Sequence, residues 1–181
     1  MKIFGIDPGS DRTGYGCVET DGSRHRLVTS GVIRTPTAAT FPEKLLSIHT
    51  GLATLIGECQ PDCVAIENLF HAVNARSALK LGHARGVAML AAVEAGLPIA
   101  EYTPAEVKLS VVGYGRAEKH QVQRMVTLIL GLAVVPTPLD ASDALAVAIC
   151  HIHASGPLGR PAGKRLPRAA TSWRHYRPAR L

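Results

Sequence analysis

The chain lacks any long apolar run. Its longest unbroken stretches, Val87 to Val93 and Ala144 to Cys150, are seven residues each, against the roughly 20 that a membrane span needs. A membrane-spanning helix is excluded. The opening residues MKIFGIDPGS contain no apolar segment ending in a small-residue cleavage site, so the expected location is the cytoplasm. Cysteine is also scarce. Of Cys17, Cys59, Cys63 and Cys150, only Cys59 and Cys63 are close, in a C-x-x-x-C with no second pair to complete a zinc tetrad. The expectation is four reduced, buried thiols. His151 and His153 form an H-x-H without a third ligand nearby, which reads as a helix end. At 181 residues, the chain is one ordinary domain with some extra length.

Acidic residues are missing from one end. The net charge of +6 divides into +7 for residues 155–181 and −1 for residues 1–154. The basic character therefore belongs to the tail. With four prolines and three glycines among 27 residues, that segment is expected to be flexible. It reads either as a solubilising extension or as an arm that binds phosphates through counterion release. Trp173 and Tyr176 carry no assignable site.

What is present in residues 1–154 is an ordered alternation of strand and helix signals. KIFGID, residues 2–7, is an apolar run stopped by Pro8-Gly9, and residues 13–20 and 25–34 flank the hairpin signal Asp21-Gly22. Three antiparallel strands are expected first. Residues 41–59 carry Leu45, Ile48, Leu52, Leu55 and Ile56 at helical spacing after Pro42. CVAIE, residues 63–67, is a fourth strand, and a long helix is expected over 72–95. This β-α-β order implies a parallel neighbour. A fifth strand is expected at 99–102, then a helix opened by Thr103-Pro104, a second from about 118 to 130, and a last one from 140 to about 154. The fold class is α/β.

The chemistry lies in where the carboxylates fall. Asp7 ends the first strand, Glu67 ends the fourth, and Asp140 and Asp143 share one face of the last helix at i and i+3. Acids at the ends of buried strands are costly unless compensated. If the first and fourth strands are adjacent, the four acids meet in an oxygen-only site that suits Mg²⁺ or Mn²⁺. Two such ions are a standard device for phosphodiester hydrolysis. Plainer readings stand beside this one: Asp7 as a turn cap, Asp140 as a helix N-cap, and Asp143 as favourable charge in a first helical turn.

Five segments together resemble the RuvC family of Holliday junction resolvases. They are IDPGSDRTGYG at 6–16, AIEN with Phe70 at 65–70, NARSALKLGHARGV at 74–87, VVGYGRAEKHQVQ at 111–123 and DASDALAVAICH at 140–151. The resemblance covers residues 1 to about 154. It implies an RNase H-like fold, with a five-stranded mixed sheet flanked by helices on both faces. It also implies a homodimer that makes paired, metal-dependent nicks in four-way DNA, leaving 5′-phosphate and 3′-hydroxyl ends, in recombination and repair. The family's four metal-binding acids fall on Asp7, Glu67, Asp140 and Asp143. In the expected scheme Asp7 bridges two Mg²⁺ ions, Glu67 and Asp143 each complete one, and Asp140 serves the water side, with Mn²⁺ as a substitute. Lys108 and Lys119 match basic residues near the scissile phosphate, and Phe70 an aromatic placed against unpaired bases. Arg76 and Lys80, at i and i+4, are expected to line the DNA groove. RuvA and RuvB, the branch-migration proteins, are implied partners. Ala75, Ala78, Leu79, Gly82, Gly86, Met89 and Leu90 form a small-residue stripe suited to close packing, either within the subunit or across a dimer. A non-catalytic junction-binding protein on the same fold is the main alternative. An actin-like sugar kinase or ATPase would need a second duplicated domain.

Overall fold

Strands form where apolar residues alternate across two covered faces, and helices where they recur every three to four positions. The computed structural model describes residues 1–68 and 74–156, and the long 155–181 tail falls almost wholly outside them. The elements are β1 (Lys2–Asp7), β2 (Arg12–Thr20), β3 (His25–Arg34), α1 (Phe41–Cys59), β4 (Cys63–Glu67), α2 (Ala75–Glu94), β5 (Ile99–Tyr102), α3 (Pro104–Val112), α4 (Lys119–Ile129) and α5 (Leu139–Ser155). The sheet order is β3-β2-β1-β4-β5. β1 pairs antiparallel with β2 and parallel with β4, which places the strand ends carrying Asp7 and Glu67 side by side.

Alternation along the strands builds two cores. Phe4, Ile6, Cys17, Val64 and Ile66 pack with α1 and α2, while Ile3, Val18, Cys63 and Ala65 pack with α3, α4 and α5. Asp7, Gly14 and Glu67 belong by this alternation to the α5 face. All four cysteines are free and buried, and burial raises their thiols, Cys17 to about 12. The Tyr102 hydroxyl lies 2.8 Å from His151 Nδ1, and His153 lies 3.2 Å from the Ser110 hydroxyl. Among the described residues no helix is long and apolar enough to cross a membrane.

Local sequence explains the helix starts. Thr103 and Glu106 form a capping box ahead of Pro104. The helix expected from residue 72 instead begins at Ala75, because Asn74 accepts the Ser77 amide at 2.9 Å and so takes the N-cap position. Glu118 likewise caps α4 rather than joining it.

One contact decides where the last helix lies. A methyl group at Gly5 would fall on the Ala144 carbonyl, and one at Gly14 on the Asp140 carbonyl, both far inside contact distance. A methyl at Gly16 would come within 2.7 Å of the Leu145 side chain. α5 therefore rests on the backbone of β1 and β2, with no strand side chain between them at Gly5, Gly14 and Gly16. Beside this contact the hydroxyl of Ser142 is fully buried with no hydrogen-bond partner among the described residues, an arrangement that costs about 1–3 kcal/mol.

Gly5→Ala should lower stability by at least about 3 kcal/mol, since backbone must move to admit the methyl group. Gly57→Ala, on an exposed stretch of α1 with open space around it, should instead gain about 0.5–1 kcal/mol. Urea unfolding of the two variants checks the contrast.

Candidate active site

Three of the four predicted acids surround one cleft. It has a volume of about 270 Å³ and is lined by Asp7, Glu67, Asp143, Lys108 and Lys119, with Pro104, Val107, Val122 and Ala146 as its apolar wall. β1 and β4 deliver Asp7 and Glu67 from parallel strand ends, α5 delivers Asp143, and α3 and α4 supply the two lysines. Lys119 Nζ lies 2.8 Å from Asp143 Oδ2, with side-chain exposures of 67% and 17%. The predicted roles for Lys108 and Lys119 thus have a common location, although the residues come from different helices.

Asp140 borders this group. Its Cβ is 3.2 Å from the position a Gly14 side chain would occupy, and Gly14 is the cross-strand partner of Asp7. It sits beside the cleft and does not line it. Arg76 and Lys80 are exposed on the first turns of α2. Lys80 Nζ lies 5.7 Å from the centre of the Phe41 ring, a cation–π distance, and neither residue reaches the acid cleft. Phe70 lies outside the described residues. The apolar wall was not apparent in the sequence because Pro104, Val107, Val122 and Ala146 come from three helices and look like ordinary core positions.

The electrostatics follow from burial. Asp7 is held well above the usual carboxylate range, first by desolvation and then by Glu67 and Asp143, with Lys119 opposing. Glu67 is also raised, mainly by desolvation. The Glu67 charge adds to the burial of Asp7, so without a cation Asp7 holds its proton more tightly than an exposed acid does. Lys119 is raised through its bond to Asp143. In this arrangement the carboxyls divide into Asp7 with Glu67 and Asp143 with Lys119. No group of three described His, Cys, Asp or Glu residues closes around one point.

The residues nevertheless fit a hard divalent cation. The donors are all carboxylate oxygens, which suits Mg²⁺, Mn²⁺ or Ca²⁺ and not zinc. The like-charge repulsion that raises Asp7 is the cost that such a cation removes.

The cation-free folded protein binds more protons at this pair than the unfolded chain does. Its stability therefore falls as pH rises from the usual carboxylate range through the raised folded range. Asp7→Asn removes that penalty. In EDTA it should melt above wild type at pH 7, and the difference should shrink toward pH 4, as read by thermal unfolding across that pH series.

Residues 3–151 match the family described as crossover junction endodeoxyribonuclease RuvC. The chain is 56% identical over 178 residues to the crossover junction endodeoxyribonuclease RuvC of Pelobacter propionicus, which spans 98% of this chain and 100% of that one. It superposes on the Thermus thermophilus RuvC structure with a TM-score of 0.77 at 37% identity, covering 85% of this chain and 95% of that one. For T. thermophilus RuvC in complex with a Holliday junction substrate, the TM-score is 0.79 at 37% identity, with 83% and 92% covered. The five-stranded mixed sheet and its flanking helices are thus the RNase H-like fold of those proteins. On this sequence match, joined to the acid cleft, the chain belongs to the RuvC family of crossover junction endodeoxyribonucleases.

Proposed function

We propose that this chain resolves four-way DNA junctions by hydrolysing one phosphodiester at each of two cleavage sites. The observation that carries this reading is the cleft itself: three acids from two strand ends and one helix, faced by two lysines, in a chain similar to a protein solved with its Holliday junction. Water attacks phosphorus opposite the 3′ oxygen, the P–O3′ bond breaks, and the products are a 5′-phosphate and a 3′-hydroxyl. Lys108 and Lys119 position the phosphate and offset the charge that develops on its oxygens. Asp7, Glu67, Asp140 and Asp143 are the residues that would hold Mg²⁺, two ions per site with Mn²⁺ as a substitute, with Asp140 on the water side. A divalent cation, when bound, supplies charge that polarises the phosphate and acidifies water. The lysine and carboxyl positions belong to the protein; burial of the apolar wall keeps them in place.

We place the nuclease in residues 1–154 and assign it to a homodimer. The small-residue stripe of α2 supports the dimer. Ala84, Ala88, Ala91 and Ala92 face the core, whereas Leu79 is 65% exposed and borders an open apolar groove with Leu45, Gly82, Gly86, Val87 and Leu90. A methyl group at Gly82 or Gly86 would meet nothing within 4 Å, which leaves room for a second backbone. RuvA and RuvB are the partners that family membership suggests. Phe70, Arg76 and Lys80 are assigned to DNA contacts, Arg76 and Lys80 outside the cleft.

Two measurements test these assignments. On a synthetic mobile junction, wild type should make paired symmetric nicks with Mg²⁺ and none with EDTA, and should leave a linear duplex of the same arm sequence intact. Asp7→Asn should retain junction binding and lose at least about 100-fold in cleavage. Tight binding by wild type without nicks, across varied crossover sequences and with Mn²⁺, would favour a non-catalytic binding protein. In sedimentation, Leu79→Glu/Leu90→Glu should shift a wild-type dimer to monomer, and any remaining nicks should be unpaired.

A further inference from the structure

We infer that Arg12 and Arg34 form a second phosphate-binding site, which holds the DNA backbone on the β3 side of the acid cleft; this rests on the nuclease reading above. The two residues are directly opposite in the antiparallel β2–β3 pair, and both are exposed. Opposite residues in such a pair project to the same face. The face follows from their neighbours: Gly14 and Gly16 on β2 lie against α5, and Val18 pairs with Leu27 in the core on that side. Arg12 and Arg34 therefore share the face of Asp7, Glu67 and α5. Arg12 stands two residues beyond Gly14, the partner of Asp7, or about 7 Å further along its strand.

Like charges directly opposite in a sheet are destabilising. Among the described residues neither arginine makes an ion pair with a carboxylate. Asp11, next in sequence, lies on the opposite face and holds Lys44 at 2.5 Å. Asp140, whose carbonyl lies on Gly14, pairs with neither arginine among the described residues. Two guanidinium groups at this spacing thus carry a repulsion that an anion would relieve, and arginine forks match phosphate oxygens in a bidentate manner. The position selects the anion. Lys108 and Lys119 flank the acids from the α3–α4 side, and Arg12 and Arg34 flank them from the β3 side, with the start of α5 between. A strand crossing the cleft meets phosphate contacts on both sides of its scissile bond.

The test is junction binding in EDTA, measured by fluorescence anisotropy over a NaCl series, with thermal melts of each variant at low salt. Arg12→Gln/Arg34→Gln should reduce the magnitude of the log–log salt slope by about 2, since each lost phosphate contact removes about 0.9. Arg12→Lys/Arg34→Lys should retain most of the slope. Arg24→Gln, at the far hairpin end, should leave it unchanged. Each glutamine single variant should melt at or above wild type because the like-charge pair is relieved. A wild-type slope in the double glutamine variant, or a lowered melting temperature in the singles, would overturn the site while leaving the nuclease reading intact. Absence of junction binding by wild type would instead overturn the nuclease reading, and the site with it.

Discussion

The close approach of α5 to β1 and β2 is the constraint on which the rest of this structure depends. Gly5 and Gly14 have no side chains because the Ala144 and Asp140 carbonyls occupy that space. Interiors packed to crystal-like density leave no slack for a methyl group at such points. The helix is therefore set at a fixed depth and rotation against the sheet. That rotation turns Asp143 into the cleft and leaves Asp140 over Gly14. The buried face of α5, from Ala141 to Ile152, is the other half of the same contact.

Topology supplies the second requirement. A parallel β1–β4 pair brings two strand ends to one edge, so acids 60 residues apart in sequence become neighbours. Bringing them together has a cost, visible in the raised proton affinity of Asp7 and Glu67 and in Lys119 held against Asp143. An interior built for stability alone would not gather three carboxylates in one cleft. A divalent cation at these carboxylates would relieve that repulsion.

Much of the fold was legible in the sequence because the signals were local. Pro8-Gly9, Asp21-Gly22, Pro42 and Thr103-Pro104 punctuate the chain where elements end or begin, and the expected bounds of β1, β3, α1, β4 and β5 agree with the structure. α5 begins one residue earlier than expected, at Leu139, while α2 and α4 begin three residues and one residue later, where Asn74 and Glu118 take the N-cap position. Such a residue looks helical by composition, and only its extended backbone shows that it is not. The site was partly legible. Asp7 and Glu67 could be grouped from their places at strand ends and Asp140 with Asp143 from their spacing at i and i+3, but that Asp143 lines the cleft while Asp140 lies over Gly14 depends on helix rotation, which spacing does not specify.

The sequence by itself determined the order of strands and helices, the acids at their ends, the free cysteines and the membership of a family carried by five ordered motifs. These are matters of local backbone preference, side-chain chemistry and spacing, all written along the chain. Only the tertiary structure decided that the α2 stripe faces outward, that Lys80 turns to Phe41, and that Arg12 and Arg34 stand opposite each other beside the acids. Each depends on register or on the face an element presents, and a single strand slip would send those side chains to the other side of the sheet.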